Sequence, residues 1–269
     1  SSAGAAEFEI DETRVRGRGA LGLRCRGRRL SDGQLAAVRL LPEDIAADSS
    51  FTSRFESDMA ALACLKGDRF VPVLGAGTLQ GRPYFATDLV EGEDLARHLA
   101  KGARFTTEDI VQIAQGIGEA LRAAGRFGIF HGRLRPSSIF LSVGGKVRVA
   151  DLGLSNLFPV TPSSRWLGAG ENYLSPEQAG GREPDASSDL YTLGAILYEL
   201  ATGRPPFEGC ASATSLHFQL QHVDPTAPRE AGSMIPRELE RLILGCLSKE
   251  PKQRYSSPDA FLGELEAVR

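Results

Sequence analysis

Two stretches of this sequence hold residues that could do chemistry. The first is His131-Gly132-Arg133-Leu134-Arg135-Pro136-Ser137-Ser138-Ile139, and the second is Asp151-Leu152-Gly153. His131 is the one group there whose ordinary titration range lies near neutral pH, which makes it tempting as an acid or base. A satisfied core histidine is the plainer reading. Arg133 stays protonated at any physiological pH and cannot accept a proton. Upstream, Gly17-Arg18-Gly19-Ala20-Leu21-Gly22 has the G-x-G-x-x-G spacing of loops that let a backbone approach phosphates, a weak signal among 30 glycines. His98, His217 and His222 make no cluster with metal-ligand spacing. Cys25, Cys64, Cys210 and Cys246 lie far apart, as reduced thiols of a cytoplasmic protein would, rather than as a disulfide framework.

The elements that must position these groups follow from pattern. The chain has 269 residues, 42% hydrophobic and 24% charged, ample for a core in one large domain or two lobes. No apolar run reaches membrane-span length and no signal peptide is expected; Ser1 to Ala6 resembles a tag remnant or linker edge. Residues 8 to 41 predict three strands with Gly-rich turns. A helix over 49 to 66 places Phe51, Phe55, Met59 and Leu62 on one face. Strands over 71–79 and 83–89 flank a turn at Gln80-Gly81, and the chain turns helical from Glu91. Thr106 or Thr107 caps a long helix whose apolar face holds Ile110, Ile113, Ala114, Ile117, Leu121 and Ala124. Two short strands follow around Gly144-Gly145, then an irregular segment over 154–174. Residues 189 to 201 are apolar nearly all round, as in a buried central helix, and further helices are expected near 236–247 and 257–268.

In order and spacing, these stretches resemble the protein kinases, especially the bacterial Ser/Thr kinases. The first resembles the family's H-R-D-x-K-P-x-N loop, and Asp151-Leu152-Gly153 its D-F-G turn. Arg39 stands in the Ala37-Val38-Arg39 context where the family has V-A-x-K, and Asp58 near the family's ion-pairing Glu. Ser175-Pro176-Glu177 is similar to the end of the activation segment, with Arg254 as partner of that Glu. Asp189-Leu190-Tyr191-Thr192-Leu193-Gly194 and Gly203-Arg204-Pro205-Pro206-Phe207 match the central helix and the turn after it. The resemblance implies an α+β, two-lobe fold: a β-rich N-lobe over 1–89, with a five-stranded sheet and one helix, and a mainly helical C-lobe over 90–269.

It also implies a site with most reactive groups exchanged. Arg133 occupies the position of the family's proton-accepting Asp, Arg135 that of its Lys and Ser138 that of its metal-binding Asn. Asp151 keeps the one carboxylate that could hold Mg²⁺. Arg39 replaces the phosphate-pairing Lys, with Asp58 as its expected structural partner. Arg24 stands where a Val would pack on adenine, and Gly170 where a Thr would contact the catalytic Asp. Either Arg133 pairs with Asp151 or it points to solvent or the activation segment. His131, Glu177, Asp189 and Arg254 are expected to be structural. Gly17, Gly19, Gly22, Arg24, Arg39 and Asp151 remain as remnants of a nucleotide pocket. The expectation is therefore a pseudokinase: not an enzyme, without cofactor or metal (ATP with Mg²⁺ aside), acting as a signalling scaffold or allosteric regulator. The alternative is an atypical nucleotide-dependent transferase using Asp151 and the Gly-rich loop, or a nucleotide sensor.

The net charge of -3 hides a basic stripe. Arg14, Arg16, Arg18, Arg24, Arg26, Arg28 and Arg29 place seven cations in 16 residues with no acid. Strand periodicity puts each alternating trio on one sheet face. That face is either solvated or docks an acidic or phosphorylated partner, an active kinase among the candidates. Nucleic acid is a further candidate for a basic face, but stacking aromatics are missing from the stripe, which argues against a single strand, and no nucleic-acid partner is expected. Thr161, Ser163 and Ser164 are candidate phosphorylation sites.

Overall fold

The computed structural model describes residues 7–11, 17–19, 22–42, 49–65, 67–142, 145–153 and 168–268. The chain divides into two units, Ser1–Glu91 and Gly92–Arg269. The first carries an antiparallel sheet and the second is mainly helical.

The first unit is built on strands β1 (Phe8–Asp11), β2 (Gly17–Gly19), β3 (Gly22–Arg29), β4 (Leu35–Leu40), β5 (Val73–Leu79) and β6 (Arg82–Asp88). The sheet order is β1-β3-β4-β6-β5, with β2 also paired to β3. Six strands stand where five were expected, because β1 and β2 take up successive stretches of β3: Asp11 faces Arg26 and Gly17 faces Arg24. Alternation along the strands sends Cys25, Ala36, Val38, Leu40, Tyr84 and Ala86 to one face, where they form a core with Phe8. Phe8 meets Tyr84 edge to face at 6.3 Å.

The β5–β6 hairpin turns at Gln80 and Gly81, whose φ values of 50° and 80° fit a type I′ turn matching the twist of the strands. Helix α1 (Ser49–Ala63) buries Phe51, Phe55, Met59 and Leu62, one stripe at helical spacing. It packs along β5.

The second unit opens with β7 (Gly92–Asp94), a short strand where helix was expected. Helix α2 (Leu95–Ala100) follows, its first turn capped by Asp94, which accepts from the Arg97 amide at 3.0 Å. Helix α3 (Thr107–Gly125) begins with a capping box in which Thr106 and Asp109 satisfy each other's amides. Strands β8 (Ile139–Ser142) and β9 (Val147–Val149) complete a three-stranded sheet with β7.

Then come α4 (Pro176–Ala179), α5 (Ala186–Thr202), α6 (Ala213–His222), α7 (Arg237–Cys246) and α8 (Pro258–Glu266). Helix α5 is buried over twelve of its residues, as an all-apolar central helix must be, and Gly203 ends it in the left-handed conformation at φ 82°. No helix among the described residues is long and apolar enough to cross a membrane.

Candidate functional site

The loop from His131 to Ser138 is held by its backbone. Helix α5 starts at Asp185, whose carboxylate accepts from the Ser187 and Ser188 amides. One turn further, Asp189 accepts from the His131 amide at 2.7 Å and the Gly132 amide at 2.7 Å. Burial pushes the Asp189 carboxyl up to about 7, and the two amides oppose that rise. Gly132 sits at φ 65°, in the left-handed region, and its carbonyl accepts from Gln178 Nε2 at 2.7 Å. The Ser138 amide then closes onto the Arg135 carbonyl at 2.8 Å, with Pro136 opening a 3-10 turn over Pro136–Ser138.

On this frame the side chains take distinct positions. His131 is fully buried. Its Nδ1 accepts from the Arg133 amide at 3.3 Å, and burial pushes its pKa down to about 4, so it is neutral at pH 7. Arg133 is half-buried. Burial and the neighbouring Arg135 charge lower its pKa to about 10, while Asp151 pulls the other way. Arg133 thus stays a cation that feels both the Asp151 carboxylate and the Arg135 guanidinium. Asp151 follows β9 with φ 62°, one of two non-glycine residues with positive φ among those described. Gln80 is the other, and its turn requires that geometry. Ser138 is buried, its carbonyl accepts from the Ala150 amide at 2.8 Å, and its Oγ has no hydrogen-bond partner among the described residues.

The Gly170 position lies against Arg135: a Cβ there would stand 3.6 Å from Arg135 Cδ and 3.7 Å from Nη1. Together with Gly132, Arg133, Tyr173, Leu174, Gln178 and Thr192 these residues line a cavity of about 30 Å³. The neutral polar groups of that wall are used internally. Thr192 Oγ1 donates to the Tyr173 carbonyl at 2.9 Å, and Tyr173 Oη donates to Glu199 at 2.5 Å.

Behind the loop, Arg254 grips Glu177 through two bonds of 2.8 Å, with side-chain exposures of 0% and 6%. Burial alone would raise the Glu177 carboxyl, but the Arg254 fork and the Ser188 hydroxyl at 2.6 Å hold it down at about 2. Arg254 also donates to the Ser248, Lys249 and Ser187 carbonyls and lies over the Tyr191 ring.

In the first unit, Gly17, Arg24, Arg39, Phe85 and Ala76 are successive cross-strand partners, so they share one sheet face. Arg39 is 7% exposed, and its guanidinium lies 5.6 Å from the Phe85 ring centroid. Asp58 is half-buried on α1. Gly22 has φ 98°, and a Cβ there would come within 1.9 Å of the Leu40 carbonyl oxygen. The basic stripe acquires acids that linear reading had not paired with it: β1 sets Glu9 opposite Arg28 and Asp11 opposite Arg26. Arg14, Arg16, Thr161, Ser163 and Ser164 lie outside the described residues.

Sequence reasoning met Gly132, Gln178, Thr192 and Tyr173 within motifs but gave none of them a role at the site. The Ser175-x-x-Gln178 capping box was the available signal for two of the loop's neighbours, since it announces α4 with Gln178 turned inward.

Among the described residues no group of three or more His, Cys, Asp or Glu could hold a metal alone. Mg²⁺, however, is normally held by one or two carboxylates together with substrate phosphates. Asp151 and the Ser138 hydroxyl, which has no hydrogen-bond partner among the described residues, supply the oxygen donor types that such an ion takes.

Comparison with known proteins gives this geometry its context. The pattern of the protein kinase domain matches residues 10–263. A probable serine/threonine-protein kinase of Streptomyces coelicolor is 34% identical over 244 residues, covering 87% of this chain and 36% of that protein. The serine/threonine-protein kinase PknB of Mycobacterium leprae is 32% identical over 240 residues, covering 86% and 38%. The chain thus spans little more than a third of the length of these relatives. In fold, it is similar to the Mycobacterium tuberculosis PknI kinase domain, with a TM-score of 0.76 at 22% identity, covering 100% of this chain and 98% of that one.

These relatives overturn the expectation that the chain is not an enzyme, since proteins at 32–34% identity over most of it are named kinases. That expectation equated exchange of the groups at positions 24, 39, 58, 133, 138 and 170 with loss of catalysis. Phosphoryl transfer passes through a loose transition state and rests mainly on positioning and electrostatics. A general base contributes roughly 10²–10⁴ of it.

Proposed function

This chain belongs to the protein kinase family, and on that premise we propose that it is an atypical nucleotide-dependent phosphotransferase, slow toward hydroxyl acceptors. The observation that carries the reading is the pair Ser138 and Asp151. A buried hydroxyl without a partner costs about 1–3 kcal/mol, and a non-glycine residue held in the left-handed region costs about as much. Both costs fall where the family's pattern has metal ligands, just before β8 and just after β9, where the Ala150 amide donates to the Ser138 carbonyl. Mg²⁺ bound with nucleotide would neutralise phosphate charge there, with Asp151 and Ser138 as its protein ligands. Arg133 cannot take a proton from a hydroxyl, so such acceptors lose a factor of about 10²–10⁴. His131 does not replace it, being buried and engaged by the Arg133 amide.

The test is transfer of label from γ-labelled ATP with Mg²⁺ or Mn²⁺, alongside a thermal shift with the same ligands. Asp151→Asn is expected to abolish labelling and the metal-dependent part of the shift; Ser138→Ala should weaken both. Labelling that survives Asp151→Asn unchanged refutes the reading. A shift without any labelling would identify a nucleotide sensor instead.

A further inference from the structure

Helix α3 ends in a fixed turn. The Ile129 amide donates back to the Ala124 carbonyl at 3.2 Å and the Gly128 amide to the Gly125 carbonyl at 3.0 Å, with Gly128 at φ 68° in the left-handed region. These are the two bonds of a Schellman motif. The turn leaves Phe127 67% exposed. One exposed aromatic is ordinary by itself; what sets this one apart is its neighbourhood. Gly125 and Arg126 before it and Ile129 and Phe130 after it line a cavity of about 290 Å³, which Phe127 does not line. Leu121 and Pro258 add to the apolar wall, and Asp189, which holds the His131 and Gly132 amides, also lines it. That volume is at the lower end of ligand pockets and suits a single apolar side chain. Two charges stand by the same cavity. Arg126 is exposed, and its side chain makes no hydrogen bond or ion pair among the described residues. The Asp259 side chain is 69% exposed and faces Arg122 at 3.6 Å. One patch of the second unit thus carries an outward aromatic, a cavity of its size, an open cation and an exposed carboxylate.

We propose that this patch is a contact between two copies of the chain, in which Phe127 of each enters the cavity of the other and Arg126 of each meets Asp259 of the other. A two-fold interface uses the same surface on both subunits and must be complementary to itself. This patch meets that condition, since the aromatic, the cavity and both charges lie together, and a second copy therefore suits it better than a different protein. Two aromatic side chains leave water, and the charged pairs form the polar edge. A contact built on one anchor from each side is small, so association is transient and depends on concentration. Because Asp189 lines the cavity, the entering ring adjoins the carboxylate that fixes the start of the 131–138 loop. Pairing of two copies thereby reaches the loop through its anchor. The inference is independent of the phosphotransferase reading.

Sedimentation velocity over about a hundredfold range of protein concentration gives the first readout: the parent should pass from monomer toward dimer. Phe127→Ala removes the anchor. Gly125→Leu fills the cavity from a position whose added Cβ meets nothing within 4 Å. Each should raise the dimer dissociation constant at least about tenfold, as loss of a buried aromatic predicts. Arg126→Glu and Asp259→Lys should each weaken association, and the two together should recover it. Circular dichroism checks that each variant is folded. As the parent is concentrated at constant pH, the His131 and Gly132 amide resonances should shift, and in Phe127→Ala they should stay still. A parent that is monomeric at every concentration overturns the proposal and leaves the cavity to a different polypeptide. Dimers that survive both Phe127→Ala and Gly125→Leu lie elsewhere on the chain and overturn it as well. Dimers that form with His131 and Gly132 unmoved overturn the entry of Phe127 beside Asp189, and a double charge variant that recovers nothing overturns the Arg126–Asp259 pairing.

Discussion

Replacing Arg254 by methionine isolates the buried pair that ties α4 to the end of the helical unit. The side chains of Arg254 and Glu177 are 0% and 6% exposed and joined by two bonds of 2.8 Å. Removing the guanidinium leaves a carboxylate with the Ser188 hydroxyl as its remaining side-chain donor. Stranding one charge of a buried pair costs about 3–5 kcal/mol. Arg254→Met should lose that much in urea unfolding followed by far-UV circular dichroism, which the helices of this unit dominate. Adding Glu177→Met should recover much of the loss, because no stranded charge then remains.

The pH dependence gives a second readout. In the parent, Glu177 is held at about 2, below its ordinary value near 4.5. The pair's contribution is therefore complete above about pH 4.5 and lost as pH falls toward 2. In Arg254→Met burial is left nearly unopposed and raises the carboxyl, so the deficit should narrow as pH falls from 7 to 5. A loss under about 1 kcal/mol, or a deficit that widens on acidification, would show that the pair is not desolvated.

Two further outcomes probe the loop itself. Arg133→Asp restores a carboxylate at the proton-accepting position, so initial rates on Ser and Thr peptides should rise by up to about 10²–10⁴; no rise would mean that position 133 does not face the acceptor. Because burial lifts Asp189 to about 7, its protonated form, which weakens the two amide bonds, should build up as pH drops through that value. The His131 and Gly132 amide resonances should titrate with a midpoint near 7, and Asp189→Asn should abolish the titration; a midpoint in the ordinary carboxylate range would contradict the burial argument.

Much of the architecture was legible because local chemistry and tertiary need coincide. Gln80-Gly81 between two alternating runs announces its hairpin, and the apolar circumference from Leu190 to Leu200 announces the buried α5. Glu177, Asp189 and Arg254 could be placed through motif order alone. What stayed hidden depends on partners distant in sequence. Nothing near Arg26 or Arg28 reveals that β1 brings Asp11 and Glu9 opposite them. Nothing near Arg135 reveals that Gly170 leaves a notch beside it. The short strand β7 was read as helix because its pairing with β8 is formed by residues nearly fifty positions away. The error about catalysis had another origin: exchanged residues at position 133 and around it were weighed as though they abolished a reaction that rests mainly on positioning and electrostatics.

The fixing of the 131–138 loop has a practical consequence for protein engineering. Asp189 and Gln178 hold three backbone groups of His131 and Gly132, and the 3-10 turn holds a fourth. None of these contacts involves the side chains at 133 or 135. The two positions can therefore be exchanged, singly or as a combinatorial library, while the path of the main chain is kept. Differences in rate or acceptor choice across such a library would report the grafted groups themselves, making the loop an interchangeable socket on a constant frame.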